Sequence, residues 1–405
     1  MAVNLPPLPA LRPVSGIRLG TTAASLRKKD RRDLVVVECA PGTTAAAVFT
    51  RNRVCAAPVL VAREHLTKIS PRALIINTGY ANAGTGTGGY EDAQSICCAL
   101  SGLLGCTPYE VLPFSTGVIG ERLPLERLVD GLPDCLARLS EEGWADAAHG
   151  IMTTDTAPKG CSRRVMIGGK PVTVTGIAKG AGMICPNMAT MLAFVATDAA
   201  VPSPVLQQVL SAAAEASFNR ISVDGDTSTN DACVLLASGR AGVEISEPHG
   251  EAYAVFSQVV KDVLAELAQA IVRDAEGATK FITIDVEQGA NESECLEVAH
   301  TIAHSPLVKT AFFASDPNWG RILAAVGRAR VAHLNTGAVS IYLDEVCIVR
   351  NGGRAPDYTE TQGILVMRQP EIRLRVVLGN GTASARLWTC DLSHDYVRIN
   401  AEYRS

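Results

Sequence analysis

A chain of 405 residues carries 37 Lys and Arg against 41 Asp and Glu, a net charge of −4, with 47% hydrophobic and 19% charged residues. So much apolar content with so little charge excludes a disordered chain, and the mildly acidic balance excludes the concentrated basic face of a nucleic-acid binder. The best candidate for a membrane span, residues 188–201, is interrupted by Asp198 and falls short of the ~18 apolar residues that a bilayer requires. The expectation is a soluble, compact chain of two or three domains, with neither nucleic acid nor membrane as partner.

In chain order, the opening MAVNLPPLPALRPVSG has no charged stretch followed by an apolar one and is too rich in proline for a transit peptide, so no targeting segment is expected. Residues 33–38, 45–50 and 73–77 are short β-rich runs and predict strands, and residues 90–104 predict a helix. Residues 205–218 predict another helix, started by Pro202-Ser203-Pro204. The clearest helix is 252–274, where Phe256, Val260, Val263, Leu264, Leu267 and Ile271 form one apolar stripe. The period then switches to two, with Ile282, Ile284 and Val286 alternating with Thr283, Asp285 and Glu287. Residues 339–349 predict a single strand, and Gly379-Asn380-Gly381 predicts a hairpin turn between 372–376 and 384–390. This alternation argues for an α/β or α+β enzyme, with a soft boundary near 280–290 that separates a larger catalytic domain, 1–280, from a smaller α/β domain, 281–405.

Several signals weaken on inspection. The twelve cysteines are scattered and contain no CxxC pair, which fits inert thiols in a reducing compartment. His300 and His304 stand four apart without the acid of an HExxH pattern, so surface or capping roles and no metal site are expected. The run Gly84-Thr-Gly-Thr-Gly-Gly89 matches GxGxxG, but Thr78 to Ala83 separate it from its strand and no Lys-Ser/Thr ending follows. A loop capped by the next helix is expected there rather than a nucleotide site. The acidic run from Ser222 to Asp231 lacks the terminal Glu of a calcium loop and predicts Asx and Ser/Thr turns. The basic run from Arg27 to Asp33 is interleaved with acids and predicts a solvated surface.

The segment Lys179-Gly-Ala-Gly-Met-Ile-Cys-Pro-Asn-Met-Ala-Thr190-Met-Leu192 places one cation and one hydroxyl nucleophile in apolar, Gly- and Met-rich surroundings. By itself a threonine in such a setting is more often a buried group bonded to backbone than a nucleophile. The segment resembles, however, the signature of the ornithine acetyltransferase (glutamate N-acetyltransferase, ArgJ) family. The family's other recurring stretches follow in order: Leu26-Arg-Lys-Lys-Asp-Arg31, Ala47-Val-Phe-Thr-Arg-Asn52, Ser115-Thr-Gly-Val-Ile-Gly120 and Met152-Thr-Thr-Asp-Thr156. After them come the 222–231 run, Glu276-Gly-Ala-Thr-Lys280, Asp316-Pro-Asn-Trp-Gly-Arg321 and Ile399-Asn-Ala-Glu-Tyr403. The likeness runs from about residue 12 to the end. Asn77-Thr-Gly-Tyr-Ala-Asn82 departs from the family's Asn-Ser-Gly-Asn-Ala-Asn and alters packing beside the glycine run.

The resemblance implies layered mixed sheets with helices, like the N-terminal-nucleophile enzymes, and a chain that cuts itself between Ala189 and Thr190 into pieces 1–189 and 190–405. Thr190 would then be the nucleophile, its new α-amine, of ordinary pKa ~8, acting as base to its own hydroxyl. Thr116 and Gly117 match the family's oxyanion-hole pair. Lys179 is expected to bind a substrate carboxylate, and Thr153 or Thr154 to add a hydroxyl contact, the choice between them staying open. Glu276, at the end of the long helix where the dipole disfavours a carboxylate, is expected to hold an ammonium group. Asn400 and Ser405 match carboxy-terminal substrate contacts, which requires the tail to fold back. The implied activity moves acetyl from N-acetylornithine to glutamate in arginine biosynthesis, in the cytoplasm, with no metal or other cofactor required and acetyl-CoA as an optional donor. Two copies of each piece are the implied assembly. The rival readings are an N-terminal-nucleophile aminopeptidase or amidase, and a non-catalytic ligand-binding protein or a dinucleotide enzyme built on the glycine run.

Overall fold

The computed structural model describes residues 2–27, 31–185 and 191–402. Strands β1 (Ile17–Thr22), β2 (Leu34–Cys39), β4 (Ala73–Tyr80) and β5 (Val111–Val118) make a four-stranded sheet in the order β1-β2-β4-β5. Strands β3 (Thr44–Phe49), β6 (Lys159–Ile167), β7 (Lys170–Lys179), β8 (Leu192–Thr197) and β10 (Ala232–Ala237) make a second, in the order β3-β10-β8-β7-β6. Both sheets are mixed, with β4–β5 and β8–β10 as their parallel pairs.

The two sheets pack face to face. Leu19, Val37, Leu74 and Ile76 of the first meet Ile177, Ala196, Val234 and Leu236 of the second in one apolar cluster, and the rings of Phe114 and Phe194 meet edge-on at 5.1 Å. Strands covered on both faces read as the near-continuous apolar runs seen in LVVVEC and ACVLLA. Helices α1 (Ala57–Lys68), α2 (Gly86–Leu104) and α3 (Leu125–Ala137) cover the outer face of the first sheet. Helices α5 (Ser203–Glu215) and α6 (Gly250–Arg273) cover the outer face of the second, and every residue of the predicted α6 stripe is buried there. The result is a four-layer α/β/β/α stack, with α4 (Trp144–Gly150) inserted at the edge of the central layer.

The remaining strands form a seven-stranded sheet. They are β9 (Ile221–Ser222), β11 (Phe281–Gly289), β12 (Ser340–Leu343), β13 (Val346–Arg350), β14 (Gly353–Arg354), β15 (Glu371–Val377) and β16 (Ala383–Cys390), in the order β14-β13-β12-β15-β11-β16-β9. Helices α7 (Glu292–Ala303), α8 (Pro306–Phe313), α9 (Trp319–Arg328) and α10 (Glu360–Met367) cover one face around a separate apolar cluster. The other face is polar, where Asp285 of β11 pairs with Arg373 and Arg386 from the flanking strands. Helix α11 (His394–Ala401), capped by Ser393, follows.

Four sequence expectations are corrected. Residues 339–349 are a hairpin, β12 and β13, because Asp344 takes a left-handed conformation at φ +48° and turns the chain. The Gly379-Asn-Gly381 turn joins no hairpin: β15 and β16 each pair with β11, which lies between them, and Gly381 passes directly over Gly289 at the end of β11. The glycine run is not a loop throughout, since Gly86 to Gly89 form the first turn of α2. A Cβ on Gly89 would strike Thr85 Oγ1 and Asn82 Oδ1, so this glycine serves close packing. Helix α5 stops at Glu215, and Phe218 lies in a separate turn. Among the described residues no disulfide joins the cysteines, and burial pushes the thiols of Cys39 and Cys135 up to about 12. Among the described residues no helix is long and apolar enough to cross a membrane.

Candidate active site

The face-to-face sheets leave a cavity of about 270 Å³ at one end of the stack. The ends of β5 and β7 and the starts of β8 and β10 open onto it. Thr116, Gly117, Thr153, Thr154, Lys179, Glu276 and Asn400 all line it. They come from five separate stretches of sequence, which the fold brings together. Met191 also lines the cavity, whereas Ala189, Thr190 and Ser405 lie outside the described residues.

Thr116 is in β5, which continues to Val118 rather than ending in a turn near Phe114. Lys179, the last residue of β7, donates from Nζ to Thr116 Oγ1 at 3.1 Å. Because an ammonium only donates, Thr116 accepts, and its own O–H remains available to the cavity. Burial pushes the Lys179 ammonium down from its ordinary value, against the opposing charge of Asp155. Gly117 has φ +134°, and a Cβ there would sit 2.3 Å from the carbonyl carbon of Gly79 on β4. Both the dihedral and the contact require glycine.

Three further buried groups hold these residues, and none was assigned a site role from the sequence. Lys159 lies between Asp155 and Asp274, 2.7 and 2.6 Å from their oxygens, and all three side chains are at most 1% exposed. Asp155 also accepts from the backbone N–H of Thr153 and Gly180, and Asp274 from those of Thr156 and Ala157. The triad therefore fixes the Thr153–Thr154 loop between β7 and the end of α6. Burial raises the Asp155 carboxyl, but Lys159 and Lys179 outweigh it and hold the group below the usual carboxylate range. Asn230 ties the two sheets together at the cavity, donating to the carbonyls of Ala81 (2.6 Å) and Ser115 (2.8 Å). Asp231, also in the lining, is pushed well above the carboxylate range by burial, with partial relief from Ser228 and Lys179, and its Oδ2 has no hydrogen-bond partner among the described residues. Asp155 in the 152–156 motif and Asp231 at the end of the 222–231 run were the available signals.

Glu276 does not end the long helix. Helix α6 stops at Arg273, and Glu276 follows in a turn whose N–H donates to the Ala181 carbonyl. Its carboxylate accepts from Asn400 Nδ2 at 2.8 Å and covers Gly182. Asn400 gets there because α11 folds back: Ser393 Oγ donates to the Gly277 carbonyl and Tyr396 OH to Asp224 Oδ2. Gly277, at φ +69°, lets the backbone of Tyr396 approach to within 2.5 Å of the point a Cβ would occupy. Asp224 also accepts from the N–H groups of Met183 and Ile184, fixing the chain that leads out of the cavity. This arrangement offers a hydroxyl donor, a cation and an anion converging on a pocket the size of an amino-acid derivative, which suits binding a zwitterion and polarising a carbonyl.

The ArgJ family model matches residues 18–405. A relative from Methylococcus capsulatus (strain ATCC 33009 / NCIMB 11132 / Bath), named arginine biosynthesis bifunctional protein ArgJ, is 61% identical over 395 residues, which cover 98% of this chain and 97% of its own. A protein of the same name from Pseudomonas fluorescens (strain Pf0-1) is 54% identical over 406 residues and is covered throughout, as is this chain. The crystal structure of an arginine biosynthesis bifunctional protein ArgJ from Bacillus halodurans matches with 39% identity and a TM-score of 0.50, over 52% of this chain and 99% of the other.

Proposed function

This chain belongs to the ArgJ family, and from that membership we propose that it moves acetyl from N2-acetyl-L-ornithine to L-glutamate, releasing ornithine and N-acetylglutamate for arginine biosynthesis. The observation that carries the assignment to this site is the convergence of Thr116, Gly117, Thr153, Thr154, Lys179, Glu276 and Asn400 on one cavity. Thr190 is bonded to Met191, which lines the same cavity.

The reaction begins with maturation. The Thr190 hydroxyl attacks the Ala189 carbonyl, the peptide shifts from nitrogen to oxygen, and water hydrolyses the ester, leaving Thr190 with a free α-amine and Ala189 with a carboxylate. The B. halodurans chain supports this reading, because its 99% coverage by 52% of this sequence is the proportion of one of two pieces. In the transfer cycle the α-amine takes the Thr190 proton while Oγ attacks the acetyl carbonyl of acetylornithine. The tetrahedral oxyanion forms against Thr116 and Gly117. Ornithine leaves with the proton, glutamate enters the same pocket, and its amine takes the acetyl group. The two carriers share an α-carboxylate and an α-nitrogen, so Lys179 binds the first in both half-reactions, while Glu276 receives the ammonium group of the ornithine side chain. Thr153 and Thr154 both line the pocket, and one of them supplies a hydroxyl contact.

No metal or nucleotide enters these steps. The name "bifunctional" on both relatives supports a second use of the same nucleophile, with acetyl-CoA as donor to glutamate. Assembly as two copies of each piece in the cytoplasm completes the proposal. It is tested by intact mass under denaturing conditions. Wild-type protein is expected as pieces 1–189 and 190–405, and Thr190→Ala as one uncut 42.6 kDa chain without acetyl transfer. An uncut chain with undiminished turnover would overturn the mechanism. Release of acetate with no transfer to glutamate would favour an amidase instead.

A further inference from the structure

We propose that Cys185, His300 and His304 form a binding site for a thiophilic divalent cation of the zinc class. The site lies outside the acyl-transfer cavity and does not depend on the reaction proposed there.

The ligand atoms of the three side chains all lie within 4.8 Å of one another. Cys185 Sγ is 3.3 Å from His304 Nε2, and the two imidazole rings are 5.3 Å apart. Tetrahedral zinc, with sulfur at about 2.3 Å and nitrogen at about 2.0–2.1 Å, separates its ligand atoms by roughly 3.4–3.6 Å. The Cys185–His304 pair is already close to that spacing, and the His300 nitrogen lies within 4.8 Å of both partner atoms. His300 is in the last turn of α7 and His304 is its C-cap, so the helix presents both rings on one face. The buried Nδ1 of His300 has no hydrogen-bond partner among the described residues. Cys185 is anchored from the other side, since Met183 and Ile184 are both held by Asp224 and the Ile184 carbonyl accepts from Val223 N–H at 2.7 Å.

The neighbouring charges are mixed. Asp224, Asp226 and Glu297 favour a cation, whereas Lys309, Arg328 and Arg220 oppose one, and of these Arg220 is ion-paired, to Glu292. Histidine ligates as the neutral imidazole and cysteine as the thiolate, so the cation displaces a proton as the metal–sulfur bond forms. Three protein ligands leave a fourth position for water, the pattern of an open zinc site. The spacing of His300 and His304 gave no hint of this, because the third ligand is 119 residues from His304.

The test uses the purified full chain as expressed, stripped of metal and titrated with Zn²⁺ against a chromophoric chelator, then with Co²⁺. We expect one equivalent bound with submicromolar Kd, release of a proton, and a thiolate-to-cobalt charge-transfer band in the near ultraviolet. Cys185→Ser and His304→Ala should each lose the band and weaken binding by more than the ~10–100-fold that follows loss of an outer-shell partner. His300→Ala, which removes a ring whose buried Nδ1 has no hydrogen-bond partner among the described residues, provides a second variant whose folding is checked by its thermal midpoint. Cys98→Ser, at an exposed thiol, should leave binding unchanged. No cobalt–thiolate band, or equal affinity in wild type and the three ligand variants, would reduce the cluster to a thiol–imidazole hydrogen bond and overturn the proposal.

Discussion

Lys179 Nζ and Thr116 Oγ1 lie 3.1 Å apart, joining the end of β7 in one sheet to β5 in the other across the mouth of the cavity. The lysine occupies a lone pair of the hydroxyl and so directs its proton elsewhere. Thr116→Val keeps the shape of the side chain and removes that donor. Acetyl transfer is expected to fall by ~10²–10³ in kcat, with KM little changed and the thermal midpoint lowered because the buried Lys179 ammonium loses its acceptor, and Thr116→Ser is expected to restore most of both. Steady-state transfer kinetics decide it, and a valine variant at the wild-type rate would remove Thr116 from the oxyanion hole.

Glu276 and Asn400 make a separable pair. Glu276→Gln keeps an oxygen to accept from Asn400 Nδ2 but removes the charge. A hydrogen bond to a charged group contributes about 1.5–3 kcal/mol, so KM for acetylornithine should rise ~10-fold or more while that for glutamate changes less. Equal rises for both substrates would mean that the carboxylate orders the pocket rather than binding the ornithine ammonium.

The Asp155–Lys159–Asp274 triad should dominate the response to acid. Lys159→Met leaves two buried carboxylates without their cation, and removal of one partner from a buried pair costs about 3–5 kcal/mol. The folded-state pKa of Asp155 is depressed, so its stabilisation is present above its ordinary ~3.9 and is lost as pH falls toward the folded value. Urea unfolding at a series of pH values should show wild-type stability falling below about pH 4, with a shallower fall in Asp155→Asn. Identical slopes in the two proteins would contradict this account.

Asp231 has the opposite sign. Its folded-state pKa is raised, so stability is highest below the ordinary ~3.9 and declines as pH rises toward the folded value. Asp231→Asn cannot titrate. Its stability relative to wild type should therefore grow as pH increases from about 4, as measured by the same unfolding series. A constant difference across that range would show that the carboxyl titrates normally.

What the sequence revealed, and what it hid, divides along contact range. The α6 stripe, the β2 and β4 runs and the period-two alternation of β11 were legible because each pattern is local and repeats over several residues. The position of β11 between β15 and β16 was not, since the turn at Gly379 looks the same whether its flanking strands pair with each other or with a third strand. The hairpin within 339–349 was hidden because its turn rests on one residue, Asp344, in an otherwise strand-like run. At the site, Thr116, Gly117, Lys179 and Glu276 were named through resemblance rather than periodicity. Lys159 and Asp274 were missed because a buried ion pair spanning 115 residues has no sequence signature.

The order β3-β10-β8-β7-β6 interleaves the two proposed pieces within one sheet: β3, β6 and β7 precede residue 190, and β8 and β10 follow it. A cut at that point breaks one covalent bond but leaves the backbone ladders β7–β8 and β3–β10 in place. Unfolding of the cut protein then separates two molecules where the uncut chain gives one. Its midpoint should climb with protein concentration, while that of an uncut Thr190→Ala chain should not. Maturation would thus convert an intramolecular folding equilibrium into an association equilibrium, and refolding of the mature enzyme would depend on two partners meeting in dilute solution.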